Sequence, residues 1–282
     1  MQEKIIYDTK YINDIIKNIK KDWKKGIHIV ADFDRTLTKA FVNNEPRPSL
    51  ISVLRSEWIL WEEYTKKAYE LFNYYHPIEI DQSIPMDKRK KEMQIWWEKH
   101  LDLLIKTWLT QKDIEKALKL GKIIFREGVI DFFKVLKENN IPLIIISANG
   151  LWSDSINLFL QQNKVNLDNI FVISNKFIWD NSWRAIWYEK SVIHSFNKWE
   201  TILEEFPEIY KKVKNRKNVI LLGDSLWDPN MVDWFKYKNL IKIGFLNEKE
   251  DELLKDYRKK YDIIITWDWT FNFVNNLFKQ LI

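Results

Sequence analysis

Short apolar runs recur along this chain, with helical patterns between most of them, and that alternation restricts it to a parallel sheet covered by helices on both faces. The runs are Ile27–Ala31, Leu143–Ile146, Ile170–Ser174, Val219–Leu222, Leu240–Phe245 and Ile263–Thr266. Each has the length of a buried strand and is too short for a buried helix. Val129, Ile130, Phe133, Val135 and Leu136 predict a helix before the second run, and Ile156, Leu158, Phe159 and Leu160 predict one after it. Between Leu37 and Arg126 the alternation stops. That stretch gives no strand signal and is far too long for a βα loop. Its apolar residues fall at helical spacing instead. Leu54, Trp58, Trp61, Tyr64, Ala68, Leu71 and Phe72 make one face, and Met93, Trp96, Trp97, His100, Leu101, Leu104 and Trp108 make another. Pro46, Pro48, Pro77 and Pro85 punctuate the segment. The expected organisation is an α/β core from residues 1–40 and 126–282, with a helical cap at 41–125.

A chain of 282 residues, 46% apolar and 30% charged, can bury a substantial core. It contains no Cys, which excludes disulfides and thiolate metal centres and is compatible with a cytoplasmic setting. Residues 1–25 are studded with charge and lack the apolar core of a signal peptide. No uncharged stretch reaches the ~18–20 residues that span a bilayer, so no membrane partner is expected. The net charge is +5, yet acidic and basic residues are interspersed. The densest basic cluster, Lys88-Arg89-Lys90-Lys91, is flanked by Asp87 and Glu92. This pattern reads as solvated helix faces, and no nucleic-acid partner is expected. The 15 Trp often fall at helical spacing with other apolar residues, which places most of them in the core.

The chemistry gathers at strand ends, where open α/β sheets bind ligands. Asp32-Phe33-Asp34-Arg35-Thr36 follows the first run. Two carboxylates crowded there repel unless a cation or a shared proton relieves them. Ser147 and Ala148 follow the second run, and a hydroxyl with turn amides can cradle phosphate oxygens. Lys198 ends His194-Ser195-Phe196-Asn197-Lys198 and can neutralise a phosphate. Gly223-Asp224-Ser225, with Asp228 beyond it, follows Val219–Leu222 and adds carboxylates suited to Mg²⁺. Taken singly, each is an ordinary turn, cap or surface residue. Their order along the chain carries the signal.

That order resembles the four motifs of the haloacid-dehalogenase-like hydrolases, which implies a Rossmann-like parallel core with a cap inserted between the first two motifs. Ala31-Asp32-Phe33-Asp34-Arg35-Thr36-Leu37-Thr38 is similar to the motif of the cytosolic pyrimidine 5′-nucleotidases. So are Met93–Trp97, Arg126-Glu127-Gly128, Ile193–Lys198, Leu221–Ser225, Ile241–Asn247 with Asp251–Leu254, and Tyr261-Asp262-Ile263. The resemblance implies a Mg²⁺-dependent nucleotidase, monomeric and cytoplasmic. Asp32 would be the nucleophile and Asp34 the general acid and base, with the Asp34 carbonyl oxygen on the metal. Thr36, Ser147, Ala148 and Lys198 would hold the phosphate. Asp32 and Asp224 would ligate the metal, with Asp228 and Ser225 behind them. Trp96, Trp97 and His100 are candidates to stack on a base, and equally candidates for the cap interior. Ile95 stands where that family has a base-reading Glu, and the stretch Ser147–Asp154 is longer than the family's loop. A Trp-Trp pair also resembles members that prefer 7-methylguanosine monophosphate. Pyrimidine and purine nucleotides thus both stand as substrates. The alternatives are a phosphatase for another small phosphate ester and a basic, non-catalytic binding protein.

Overall fold

The computed structural model describes residues 4–22, 26–148, 152–165, 168–189, 192–198, 206–233, 235–267 and 270–282. Its central sheet has seven strands: β1 (Ile5–Tyr7), β2 (Ile27–Ala31), β5 (Leu143–Ile146), β6 (Ile170–Ile173), β9 (Asn218–Gly223), β10 (Asn239–Leu246) and β11 (Ile263–Thr266). They lie in the order β1-β11-β10-β9-β2-β5-β6. All neighbours pair in parallel except β1, which runs antiparallel to β11 at the edge. Each expected strand is present, and β1 joins them without an apolar run long enough to announce it.

The strands read as unbroken apolar runs because both faces are covered. Ile29, Ala31, Leu143, Ile145, Ile220 and Leu222 enter one core cluster. Val30, Ile144, Ile146, Val219 and Leu221, their alternating neighbours, enter another. Helices α1 (Thr9–Lys21), α6 (Val129–Glu138), α7 (Trp152–Gln162) and α10 (Asn272–Leu281) supply the first face. Helices α8 (Pro207–Val213) and α9 (Glu250–Lys260) supply the second.

The long insertion forms the helices α2 (Leu50–Ser56), α3 (Glu62–Ile80), α4 (Met86–Lys106) and α5 (Gln111–Lys119). Two details differ from the sequence reading. A small hairpin, β3 (Phe41–Val42) with β4 (Glu45–Pro46), precedes them. Asn43 and Asn44 turn it at φ of 54° and 64°, a left-handed pair that Asn tolerates. The first amphipathic face is also broken: α2 ends before Trp58, and Trp58 and Trp61 lie exposed on the link to α3. Trp108, Trp183 and Trp187 are exposed as well, while Trp96 is buried. Among the Trp residues whose burial is described, five are exposed and one is buried, so the expectation that most form the core does not hold for these. The exposed ones stand at helix ends and on an outer hairpin, where no second layer covers them.

That outer hairpin, β7 (Phe177–Trp179) with β8 (Ala185–Tyr188), leaves the core after β6 and joins the cap. The Ala185 amide donates to the Leu109 carbonyl (2.9 Å), and the Gln111 amide donates to the Trp183 carbonyl (3.1 Å). Among the described residues, no helix is long and apolar enough to cross a membrane.

Candidate active site

Strand order reverses at β2: β5 and β6 lie on one side of it, and β9 to β11 on the other. Such a reversal leaves a crevice beyond the carboxyl ends of the strands. Asp32 stands there, its amide donating to the Leu222 carbonyl (3.0 Å) and extending the β2–β9 ladder. Because β9 and β5 flank β2, Asp224 and Ser147 open on either side of Asp32. The Ser147 amide donates to Ile173 (3.0 Å), so it too is fixed by the sheet. Ala148 follows it, and residues 149–151 of the loop expected to be long lie outside the described residues.

Lys198 Nζ donates to Asp32 Oδ1 (2.5 Å) and to Asp228 Oδ1 (2.9 Å). Asp228 Oδ2 accepts from the amides of Asp224 (3.0 Å) and Ser225 (2.9 Å). Both Asp228 oxygens are thus engaged, and the residue fastens Lys198 to the Asp224 loop. The turn needs Gly223: a Cβ there would lie 2.4 Å from the Asp228 Cβ. Thr36 Oγ1 lies within donating distance of Asp224 Oδ1 (3.3 Å) and Asp32 Oδ2 (3.5 Å). Arg35, between the two motif positions, pairs with Glu248 (2.6 Å).

Oxygens of Asp32, Asp224 and Asp228 lie within 4.8 Å of one another, a cluster that can hold a metal ion. Its electrostatics ask for one. Burial pushes Asp32 up to about 8, Lys198 opposes that, and Asp228 and Asp224 add repulsion. Burial and then Asp32 push Asp34 up to about 7. Burial and then Asp228 push Asp224 up to about 6. Burial works against the charge of Lys198, but Asp228 and Asp32 outweigh it and hold the ammonium above its ordinary range. One buried ammonium thus faces an excess of carboxylates, and hard oxygen donors of this kind suit a divalent cation.

Several supporting residues were not assigned roles from the sequence. Arg126 is buried, donating through Nε to the Thr36 carbonyl (2.8 Å) and through Nη2 to Asn247 Oδ1 (2.6 Å) and the Arg35 carbonyl. Asn247 Nδ2 donates to the same Arg35 carbonyl (3.0 Å). Together they clamp the turn after Asp34. The Tyr257 hydroxyl donates to the Asp224 carbonyl, and the Tyr261 hydroxyl donates to that of Ser225 (2.5 Å). Arg126, Asn247 and Tyr261 lie in the segments that carry the resemblance, which was the available signal.

On the cap side, buried Trp96 stacks on Tyr75 (5.9 Å between centroids, 11°) and on Trp97 (6.1 Å, 25°). It shares a cluster with Phe196, two residues before Lys198, and Ile95 packs partly buried against that cluster. His100 stacks behind Trp97 (6.1 Å), and its Nε2 lies 3.1 Å from the Tyr64 hydroxyl. Burial pushes His100 down to about 3, so the ring is neutral. A carboxylate does reach the core from the cap: Glu79 Oε1 accepts from Ser195 Oγ (2.7 Å). Glu79 stands on α3, the helix that packs against α4, whereas Ile95 holds the position where the sequence resemblance places the family's Glu.

The family model for pyrimidine 5′-nucleotidase (UMPH-1) matches residues 35–282. The 7-methylguanosine phosphate-specific 5′-nucleotidase of Mus musculus is 32% identical over 272 residues, 96% of this chain and 90% of that protein. The Homo sapiens protein of the same description matches with the same identity and coverage. The crystal structure of cytosolic 5′-nucleotidase IIIB bound to cytidine superposes with a TM-score of 0.90 at 28% identity, covering 100% of this chain and 94% of that one. A substrate-bound phosphoserine phosphatase, at 20% identity and a TM-score of 0.53, covers 91% of this chain and 98% of its own and shares the fold. With the motifs in order around one crevice and the match running over most of its length, the chain belongs to the pyrimidine 5′-nucleotidase (UMPH-1) family, whose fold is that of the haloacid-dehalogenase-type hydrolases.

Proposed function

We propose that this chain hydrolyses nucleoside 5′-monophosphates in the cytoplasm through an aspartyl-phosphate, with 7-methylguanosine 5′-monophosphate and pyrimidine nucleotides as its substrates. The observation that carries this reading is Asp32 at the switch point, paired with Lys198 and flanked by Asp224 and Ser147. The Asp32 carboxylate attacks phosphorus and the bond to the 5′-oxygen breaks. Asp34, held protonated toward neutral pH by burial, gives its proton to that oxygen. A water then attacks the acyl phosphate, Asp34 takes a proton from it, and inorganic phosphate leaves with Asp32 restored. Thr36, Ser147, the Ala148 amide and Lys198 hold phosphate oxygens throughout. Asp228 and Ser225 stand behind them, keeping Lys198 and Asp224 in place.

The carboxylates of Asp32 and Asp224 and the Asp34 carbonyl oxygen would hold Mg²⁺. When bound, it neutralises charge on the phosphate and keeps Asp32 ionised. Phosphoryl transfer is mostly positioning and charge neutralisation, and this set of groups supplies both.

The base lies under the cap, against Trp96 and Trp97, with Glu79 facing its edge. His100 braces Trp97 from the cap interior. A 7-methylguanine ring carries positive charge, so aromatic faces and a carboxylate suit it well. The test is phosphate release from 7-methylguanosine 5′-monophosphate, CMP, UMP and phosphoserine, with Mg²⁺ and with chelator. Nucleotide turnover that chelator abolishes is the expected result. Turnover of phosphoserine alone would overturn the nucleotide assignment.

A further inference from the structure

Arg89 belongs to the basic cluster that reads as a solvated face, yet it is only 3% exposed. Its Nη2 donates to the Glu79 carbonyl. Its guanidinium carbon lies 4.7 Å from the Phe196 ring centroid and 5.4 Å from that of Trp227. One cap side chain therefore meets the end of α3 that carries Glu79, the segment that carries Lys198, and the loop that carries Asp224 and Asp228. A planar guanidinium can donate to a carbonyl and lie over ring faces at once, which a compact ammonium does poorly.

We propose that Arg89 is a positioning residue that sets the register of the cap, and of Glu79 in particular, against the two catalytic loops. The proposal rests on the nucleotide reading above. Lys198 has its own anchors in Asp32 and Asp228, so losing Arg89 leaves the phosphate chemistry assembled and displaces only what the cap contributes. The test compares 7-methylguanosine 5′-monophosphate with p-nitrophenyl phosphate, whose ring makes no demand on a base-reading carboxylate. Arg89→Gln should lower kcat/KM for the nucleotide by about 10–100-fold, the usual cost of slight misplacement, while the aryl ester changes by less than about twofold. Arg89→Lys should stay impaired. Phe196→Leu should shift the same ratio, and the double variant should add little to either single one, as expected of contacting partners. Equal losses on both substrates, or an unchanged nucleotide rate, overturn the positioning role. A wild-type enzyme that turns over the aryl ester but no nucleotide overturns the nucleotide reading, and this proposal with it.

A second, independent observation concerns the backbone. Trp58, Trp108, Trp183 and Trp267 have φ of 51°, 62°, 58° and 62°. A bulky side chain in that left-handed region is a genuine outlier. Trp58 and Trp108 directly follow the C-caps of α2 and α4, the position where glycine ordinarily ends a helix. Trp183 closes the β7–β8 turn, its amide donating to Asp180 (3.0 Å). Packing does not hold these three in place, since they are 62%, 65% and 58% exposed. Trp108 has Arg184 over its ring at 4.9 Å, a surface contact. Composition points the same way: the chain reads 15 Trp and 6 Gly, where about 20 Gly are ordinary for this length.

We infer that these four positions are glycine sites, and that the codon read there as Trp is translated as glycine in the cell of origin. Trp58→Gly, Trp108→Gly and Trp183→Gly should each raise Tm, and the triple variant should raise it further. Peptide mass spectrometry of the protein from its own cells should read glycine at all four. A lower Tm in the variants overturns the backbone claim, and Trp in the native peptides overturns the decoding claim.

Discussion

Asp228 was legible as a supporting residue because Gly-Asp-Ser-x-x-Asp follows a strand, but its threefold engagement was not. Only the folded turn shows Lys198 and two amides converging on its two oxygens. Gly223 is what permits that convergence. Gly223→Ala sets a Cβ against Asp228, and we expect it to cost about 1–3 kcal/mol, as overpacking does. It should also cut phosphate release, because Lys198 loses its second anchor. Thermal unfolding and a rate assay check both. Unchanged Tm and rate would contradict the account. Arg126 shows the opposite limit. A lone Arg before a helix reads as a surface residue. Its burial follows from carbonyls of Arg35 and Thr36 that the tight turn leaves without strand partners.

The strands were readable as elements because parallel strands covered on both faces keep an uninterrupted apolar run. The cap helices were readable as helices, but their ends were not. Pro77 lies inside α3, and Trp58 marks a break between α2 and α3, so spacing alone joined what the backbone separates. The Asn43-Asn44 turn was a hairpin signal too short to stand out. Two elements carry buried histidines with a consequence for pH. His28, on β2, is pushed down to about 4 by burial, and His100, on α4, to about 3. Both stay neutral in the folded chain, while the unfolded chain protonates them below pH 6.5. The unfolded state then binds more protons, so their contribution is complete above pH 6.5 and is lost as pH falls toward 4 and 3. For His28 this amounts to roughly 3 kcal/mol. His28→Asn keeps a donor toward the Arg216 carbonyl and should flatten the fall of Tm between pH 6.5 and 4. An unchanged slope would contradict the assignment.

At the scale of the whole molecule, the site exists because topology brings three strand ends together and a cap closes over them. The order of the motifs was visible in the sequence. The cap's grip on the core, through Glu79 to Ser195 and Arg89 to Phe196, was not, because contacts between distant segments leave no periodic trace. The excess of buried carboxylate suits a bound cation, which the proposed function takes to be Mg²⁺. Saturating Mg²⁺ should raise Tm, by the equivalent of about 2.7 kcal/mol at a hundredfold excess over Kd, and Asp224→Asn should remove most of that gain. No shift with Mg²⁺ would contradict the metal site. The central claim is that Asp32 attacks a nucleotide phosphate. Its most direct test is phosphate release from 7-methylguanosine 5′-monophosphate and CMP by wild-type enzyme and by Asp32→Asn, both folded and both with Mg²⁺. Turnover by the wild type and none by Asp32→Asn is the predicted result, and equal rates from the two would contradict it.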